Sequence, residues 1–281
     1  MQSLEPLEIG LMFWAKENAR ETLQDVKSYG VRAGQLGFPG ELDLAGKDEP
    51  WSNALKSEQF TATTAVCSYV GEDYADIPTV QRTVGLVPAA TRQERVARTK
   101  AVADVAAKLQ IKSVACHIGF VPHDRNTALY TEIRDVARDI CDHCAKHDQA
   151  FTLETGQEPA AVLLQFIHDV DRPNLKINFD PANMILYGTG DPIEALGVLK
   201  DHVLSVHCKD GDWPPQGKPG ALGTERPLGE GAVGMPRFIE KLKEIGYTGV
   251  LSVEREELDQ VKRAADVRSA VALLKRLTGR A

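Results

Sequence analysis

Four side chains able to bind a metal ion stand at the ends of short apolar runs in the second half of the chain. Glu154 closes Ala-Phe-Thr-Leu-Glu, Asp180 closes Leu-Lys-Ile-Asn-Phe-Asp, His207 closes Val-Leu-Ser-Val-His and Glu254 closes Val-Leu-Ser-Val-Glu. They lie 26, 27 and 47 residues apart, and the first two intervals are the length of one strand-plus-helix unit. Three carboxylates and one imidazole suit a single divalent cation. Oxygen-rich ligation favours Mg or Mn, and the imidazole keeps Co, Zn and Fe in range. Four protein ligands on an octahedral ion leave two positions for the carbonyl and neighbouring hydroxyl of a sugar. Such an ion stabilises charge on those oxygens as the adjacent C–H loses its proton. Glu154 and Glu254, from different strands, then flank the bound carbon as an acid/base pair. Returning the proton on the opposite face is epimerisation, and returning it to the neighbouring carbon is aldose–ketose isomerisation. Loss of a β-hydroxyl is dehydration. Taken singly, each of the four is as readily a helix cap or an ion-pair partner. Four at the same place in successive units favour the metal reading.

Groups placed this way need elements that bring strand ends to one face. The pattern predicts strands over 7–14, 31–37, 60–68, 112–117, 203–207 and 248–254, with two more ending at Glu154 and near Asp180. Helices are expected over 18–29, 48–57, 91–110, 127–147 and 258–277, with others behind Thr155, Asp191 and Pro236. Thr91 with Glu94, and Thr155 with Glu158, have capping-box spacing, while Asp191-Pro192 reads as an N-cap and first-turn proline. Two long Gly/Pro-rich connections remain, 69–90 and 208–233. Eight strands alternating with eight helices imply a closed parallel (β/α)8 TIM barrel, whose sites form at the carboxyl ends of the strands. The rival is an open doubly wound sheet, but no Gly-x-Gly-x-x-Gly turn follows the first strand.

The 281 residues, 43% of them hydrophobic, support one domain over 1–281 with a sizeable core. Forty acidic against 33 basic residues give a net charge of −7, a poor match for nucleic acid. No apolar run reaches the ~20 residues needed to span a bilayer. Five cysteines without a regular framework and no secretory leader point to the cytoplasm. A homo-oligomer is left open.

Other candidates sit near the same strand ends. His117 closes the fourth strand as a substrate contact or a hydrogen-bonded structural histidine. Trp14, after Phe13, offers an apolar wall for a sugar, with core packing the alternative. Lys209 and Asp210 follow His207 directly; one contacts substrate, or the two form a surface pair. Trp213 lies in the second long loop and either folds over the site or stays exposed. The Gly-rich segment 223–231 lies where barrels often bind phosphate, although it is not a P-loop. Cys141-Asp-His-Cys144, with His147 nearby, invites a zinc or redox reading, but it sits mid-helix without a second ligand pair.

Leu-Glu-Thr-Gly, Asn-Phe-Asp-Pro-Ala-Asn, Val-His-Cys-Lys-Asp and Ser-Val-Glu together resemble the metal-ligand motifs of the xylose isomerase-like TIM barrels, specifically the sugar phosphate isomerase/epimerase family. The resemblance covers nearly the whole chain. It implies one metal ion, Mn, Co or Mg, on Glu154, Asp180, His207 and Glu254, with the two glutamates also the catalytic acid and base. It implies a small sugar or keto-polyol substrate and marks Arg226, in Thr-Glu-Arg-Pro-Leu-Gly-Glu-Gly, as a substrate contact. Many relatives carry Asp-x-x-His after the sixth strand, whereas this chain has Asp180-Pro-Ala-Asn183. An amide at Asn183 therefore stands where an imidazole contacts substrate or holds a further metal. That weakens the likeness to ketose 3-epimerases and, more so, to endonuclease IV, an abasic-site nuclease with three zincs. An isomerase or epimerase is the leading reading. A lyase or dehydratase on a cyclic polyol ketone, of inosose or dehydroshikimate type, is the alternative.

Overall fold

In the computed structural model, which describes residues 4–280, the chain closes a parallel barrel. Its strands are β1 (Ile9–Trp14), β2 (Ala33–Phe38), β3 (Thr61–Cys67), β4 (Ser113–Cys116), β5 (Ala150–Glu154), β6 (Leu175–Phe179), β7 (Val203–Cys208) and, last in the chain, β10 (Leu251–Val253). The order around the barrel is β1-β10-β7-β6-β5-β4-β3-β2, so chain neighbours are spatial neighbours and β10 closes on β1. The outer layer holds α1 (Ala19–Lys27), α2 (Asp48–Ser57), α4 (Arg92–Lys108), α5 (Ala128–Ala145), α6 (Ala160–Val170), α8 (Pro192–Leu199), α9 (Met235–Glu244) and α10 (Gln260–Thr278). This is the TIM barrel that the alternation predicts.

The long connections are more ordered than a loop reading allows. Residues 69–90 contain α3 (Ile77–Thr83), started by Asp76, whose side chain accepts from the Thr79 N–H. Residues 208–233 contain an antiparallel ribbon of β8 (Asp210–Asp212) and β9 (Thr224–Arg226). A further short helix, α7 (Pro181–Tyr187), follows β6 directly. The helix count thus exceeds eight because two short helices sit on the rim.

Neither expected capping box forms. Thr91 precedes α4, but its hydroxyl makes no cap bond and is buried without a partner. No helix begins behind Thr155. The α6 helix starts after Pro159, while Thr155 and Glu158 bond across to other loops. Asp191 does cap α8, accepting from the Ile193 and Glu194 N–H groups, with Pro192 in the first turn.

Strand parity positions the site. Successive side chains on a strand face opposite sides, so Thr152 and Glu154, Ser205 and His207, and Ser252 and Glu254 share one side each. Their alternates Phe151, Leu153, Val206, Cys208, Leu251 and Val253 belong to the apolar layer packed with the helices. The register sets Glu154 beside Asn178 and His207 beside Ser252. A one-residue slip would move each of these groups into the helix layer. The inward side carries buried Gln35, Thr64, Thr152, Asn178, Ser205 and Ser252, together with a small apolar cluster of Met12, Val66 and Ala115.

Candidate metal centre and active site

The four expected ligands meet at the carboxyl end of the barrel. Glu154 ends β5, Asp180 follows β6, His207 lies in β7 and Glu254 follows β10. One ligand atom from each lies within 4.8 Å of those of the others. From His207 Nδ1 the distances are 3.0 Å to Glu254 Oε2, 3.3 Å to Glu154 Oε1 and 3.6 Å to Asp180 Oδ2. Ligands in adjacent positions of an octahedral ion with bonds of ~2.1 Å lie about 3 Å apart, so this spacing fits one hard cation.

Satisfaction of hydrogen bonds makes the same point. His207 Nδ1, Asp180 Oδ2 and Glu254 Oε2 are buried and have no hydrogen-bond partner. Buried polar groups are otherwise almost always paired, and three unpaired atoms aimed at one point suit a cation. Asp180 shows the division of labour within one carboxylate. Its Oδ1 caps α7 by accepting from the Asn183 N–H at 3.0 Å, and its Oδ2 is left for the site.

Electrostatics also favour a positive centre. Burial opposes charge on His207, but the fields of Glu254 and Glu154 outweigh it and raise the imidazole well above its usual range. Burial likewise works to raise Glu154 and Glu254, yet His207 and its neighbours win and hold both carboxyls low, with His117 the leading opponent at Glu154. Asp180 goes the other way, its carboxyl raised chiefly by burial. Among these residues, the imidazole supplies positive charge between acids that crowd one point.

Supporting residues fix the ligands. Gln35 on β2 places Oε1 3.0 Å from His207 Nε2. Gln35 Nε2 donates to Asn178 Oδ1 at 2.9 Å, and Ser205 Oγ donates to the same oxygen at 2.6 Å. Asn178 Nδ2 lies 3.2 Å from His207 Nε2. With Nε2–H donating to Gln35, Nδ1 is the nitrogen that faces the carboxylates; a metal there would displace its proton and take the lone pair. Thr155 joins two strand ends: its hydroxyl donates to the Asp180 carbonyl and accepts from the Asp180 N–H, both at 2.8 Å.

Glu154 and Glu254 open onto a cavity of about 970 Å³ that also takes in Trp14, His117, Asn183 and Lys209. Asn183 Nδ2 donates to Glu154 Oε1 at 3.1 Å, and His117 Nε2 lies 3.5 Å from the same oxygen. The His117 ring packs 5.7 Å from Tyr74. Lys209 is buried, with Nζ 3.4 Å from Glu254 Oε2 and 3.2 Å from Glu256 Oε1, so it is no surface residue. Asp210 is buried too, accepting from the N–H groups of Gly211, Gly229 and Val233. It organises the Gly-rich loop from within, and a Cβ on Gly231 would lie 2.3 Å from its Oδ1. Trp14 is 38% exposed on the cavity wall while Phe13 lies in the core.

Arg226 is not brought to the four ligands. It sits on the exposed ribbon, where Nε donates to Asp212 Oδ2 at 2.6 Å, and it does not line the cavity. Trp213, 46% exposed, does not line it either. Cys141 and Cys144 are buried in α5, and among the described residues neither joins a cluster of metal-ligating side chains. Sequence reasoning missed Gln35, Thr155 and Tyr74. The one signal for Gln35 is an amide in an otherwise apolar strand, Ala-Gly-Gln-Leu-Gly-Phe.

Known proteins share this architecture. The profile described as "Xylose isomerase-like TIM barrel" matches residues 23–277. The chain belongs to that family. A xylose isomerase domain protein from Planctomyces limnophilus is 42% identical, covers 97% of each chain and superposes with a TM-score of 0.92. The 3-keto-D-glucoside 4-epimerase of E. coli shares the fold at 17% identity, with a TM-score of 0.70 over 96% of this chain and 99% of that one. An uncharacterized protein of Methanocaldococcus jannaschii is 26% identical over 172 residues, 57% of this chain and 56% of that protein. The match thus spans about half the length of that curated relative. Among the described residues no helix is long and apolar enough to cross a membrane.

Proposed function

We propose that this chain is a divalent-metal-dependent isomerase or epimerase that moves a proton on an uncharged sugar or keto-sugar through an enediolate. The observation that carries the reading is the convergence of three buried atoms without hydrogen bonds, on Asp180, His207 and Glu254, next to a large cavity whose wall includes Glu154 and Glu254. A divalent ion on Glu154, Asp180, His207 and Glu254 supplies charge stabilisation for substrate oxygens as a neighbouring C–H ionises.

Protein groups do the rest. Glu154 and Glu254, at the ends of different strands beside the cavity, are the groups placed to take a proton from the substrate carbon and return it. Asn183 and His117 fix the Glu154 carboxylate from one side. Lys209 offers an ammonium donor to a substrate hydroxyl, and Trp14 and Tyr74 supply aromatic faces.

The lining argues for an uncharged substrate. Besides the two glutamates it contains Glu41, Glu72, Asp76, Glu225 and Glu256, against Lys209 as the one lysine or arginine. A phosphate would meet like charge on most sides. Several N–H groups of the Gly-rich segment are already engaged, Gly229 with Asp210, Gly223 with the Leu186 carbonyl and Glu230 with the Pro227 carbonyl, which leaves a poor anion cradle. The same lining repels a phosphodiester backbone and disfavours the nuclease reading. All five cysteines are free and buried, which suits a cytoplasmic enzyme.

The test is a panel of ketoses, keto-inositols and keto-glucosides, each beside its phosphate, assayed with Mn and after chelation. Turnover is expected on uncharged members only, lost on chelation and regained with metal. Glu154→Gln and Glu254→Gln are each expected to lower it by about 10²–10⁴-fold; full activity in either sinks the acid/base assignment. Dehydration is the second reading, favoured by Lys209 beside Glu254, where it can donate to a departing hydroxyl. A product lighter by one water would decide for it.

A further inference from the structure

The His143–His147 pair, flagged in sequence beside two cysteines, has a partner that sequence did not show. Cys141 and Cys144 turn into the core, and the two histidines turn out to meet Asp104 of the neighbouring helix α4. His143 Nε2 lies 2.7 Å and His147 Nε2 2.9 Å from the same oxygen, Asp104 Oδ1. The rings are 5.7 Å apart and nearly perpendicular. The two nitrogens and a carboxylate oxygen all lie within 4.8 Å of one another. His147 stands three residues before β5, and Glu154 is the last residue of that strand. The cluster therefore lies at the opposite end of the barrel from the site described above.

We infer that Asp104, His143 and His147 form a second metal site, one for a borderline cation of the zinc class, that ties α4 to α5. Two imidazoles and one carboxylate, with water in the fourth position, are a tetrahedral donor set. Ligand atoms on such an ion lie about 3.3 Å apart for bonds of ~2.0 Å. Binding therefore opens the two short contacts by roughly half an ångström.

The surroundings favour a cation there. Asp104 is in the last turns of α4 and His143 in the last turn of α5, where unpaired carbonyls leave partial negative charge. Three of the nearby lysines are engaged elsewhere: Lys100 with Asp139, Lys108 with Asp48 and Lys112 with Asp148. The buried cysteine thiols do not compete for the ion. An imidazole-rich set also separates this site from the oxygen-rich one, which suits Mg or Mn.

Equilibrium dialysis against Zn²⁺, with metal counted per folded chain, tests the inference. Wild type is expected to hold one more ion than the His143→Ala/His147→Ala variant. His168→Ala is the control, because His168 pairs with His202 in another surface histidine pair, and it should match wild type. Asp104→Asn should weaken the second ion by at least about tenfold, the lower end of the range seen when even an outer partner is lost. Failure of the first site reads differently: one ion in wild type and none in the double variant. Zn²⁺ should also raise the melting temperature of wild type further than that of the double variant. Equal metal counts in wild type and the double variant, or an equal loss in His168→Ala, would overturn the inference.

Discussion

Gln35→Leu removes the one contact that selects the tautomer of His207. The wild-type amide accepts from Nε2 at 3.0 Å and donates to Asn178 Oδ1 at 2.9 Å. Leucine has nearly the same volume but no acceptor, so the Nε2–H loses its partner in a fully buried place. Asn178 Oδ1 keeps Ser205 Oγ at 2.6 Å, which confines the damage to the histidine. Loss of an outer partner of a metal-bound histidine costs about 10–100-fold in metal affinity, or about 1.4–2.8 kcal/mol. The metal-free protein should lose a further ~1–3 kcal/mol for the unsatisfied donor. Mn²⁺ titration read by the signal of the free ion, with a thermal melt of the chelated protein alongside, separates the two effects. Gln35→Glu restores an acceptor and should recover most of the affinity. Metal affinity within about twofold of wild type in Gln35→Leu, set against that 10–100-fold expectation, would refute the orienting role.

Other expectations follow from the same geometry. Thr155→Val removes two 2.8 Å bonds to the Asp180 backbone and should cost ~1–3 kcal/mol, with weaker metal binding in the same titration. Chelation should lower the melting temperature of the loaded protein, since an ion at 100 times its Kd adds about 2.7 kcal/mol; an unchanged melt would speak against a bound ion. Glu158 is buried and its carboxyl is pushed up to about 8 by burial. The folded state thus holds a proton that the unfolded state releases near pH 4.5. Stability from this group is present below that pH and is lost as pH rises through about 8. Glu158→Gln keeps an acceptor for the Val121 N–H. Urea denaturation should find it more stable than wild type at pH ~9, by at most about 4–5 kcal/mol, and nearly equal at pH ~5; a constant difference would contradict the titration.

The repeat of strand ends was legible because barrel strands are short apolar runs closed by one polar residue. Glu154, Asp180, His207 and Glu254 announce themselves that way, and parity carries them to one face. Gln35 did not, because one amide in an apolar strand looks like a tolerated exception until the barrel closes and sets it against His207. The capping box at Thr155 failed for a related reason. Thr155 and Glu158 have the right spacing, but Asp180 and the Val121 N–H, 25 and 37 residues away in the chain, offer better partners. Arg226 lies in a loop whose path is set by Asp210 and by the ribbon β8–β9, contacts that no local pattern encodes. Asp104 joins His143 only because α4 and α5 pack side by side.

We propose that this barrel removes a proton next to a carbonyl with metal assistance. The most direct measurement is deuterium uptake from D2O into uncharged ketoses and keto-glycosides, with Mn present and again with chelator. The account predicts exchange at a single carbon of at least one member, lost with chelator and lost in Glu154→Gln or Glu254→Gln. Metal bound at the site with no exchange in any uncharged member, or exchange that survives chelation, would contradict it.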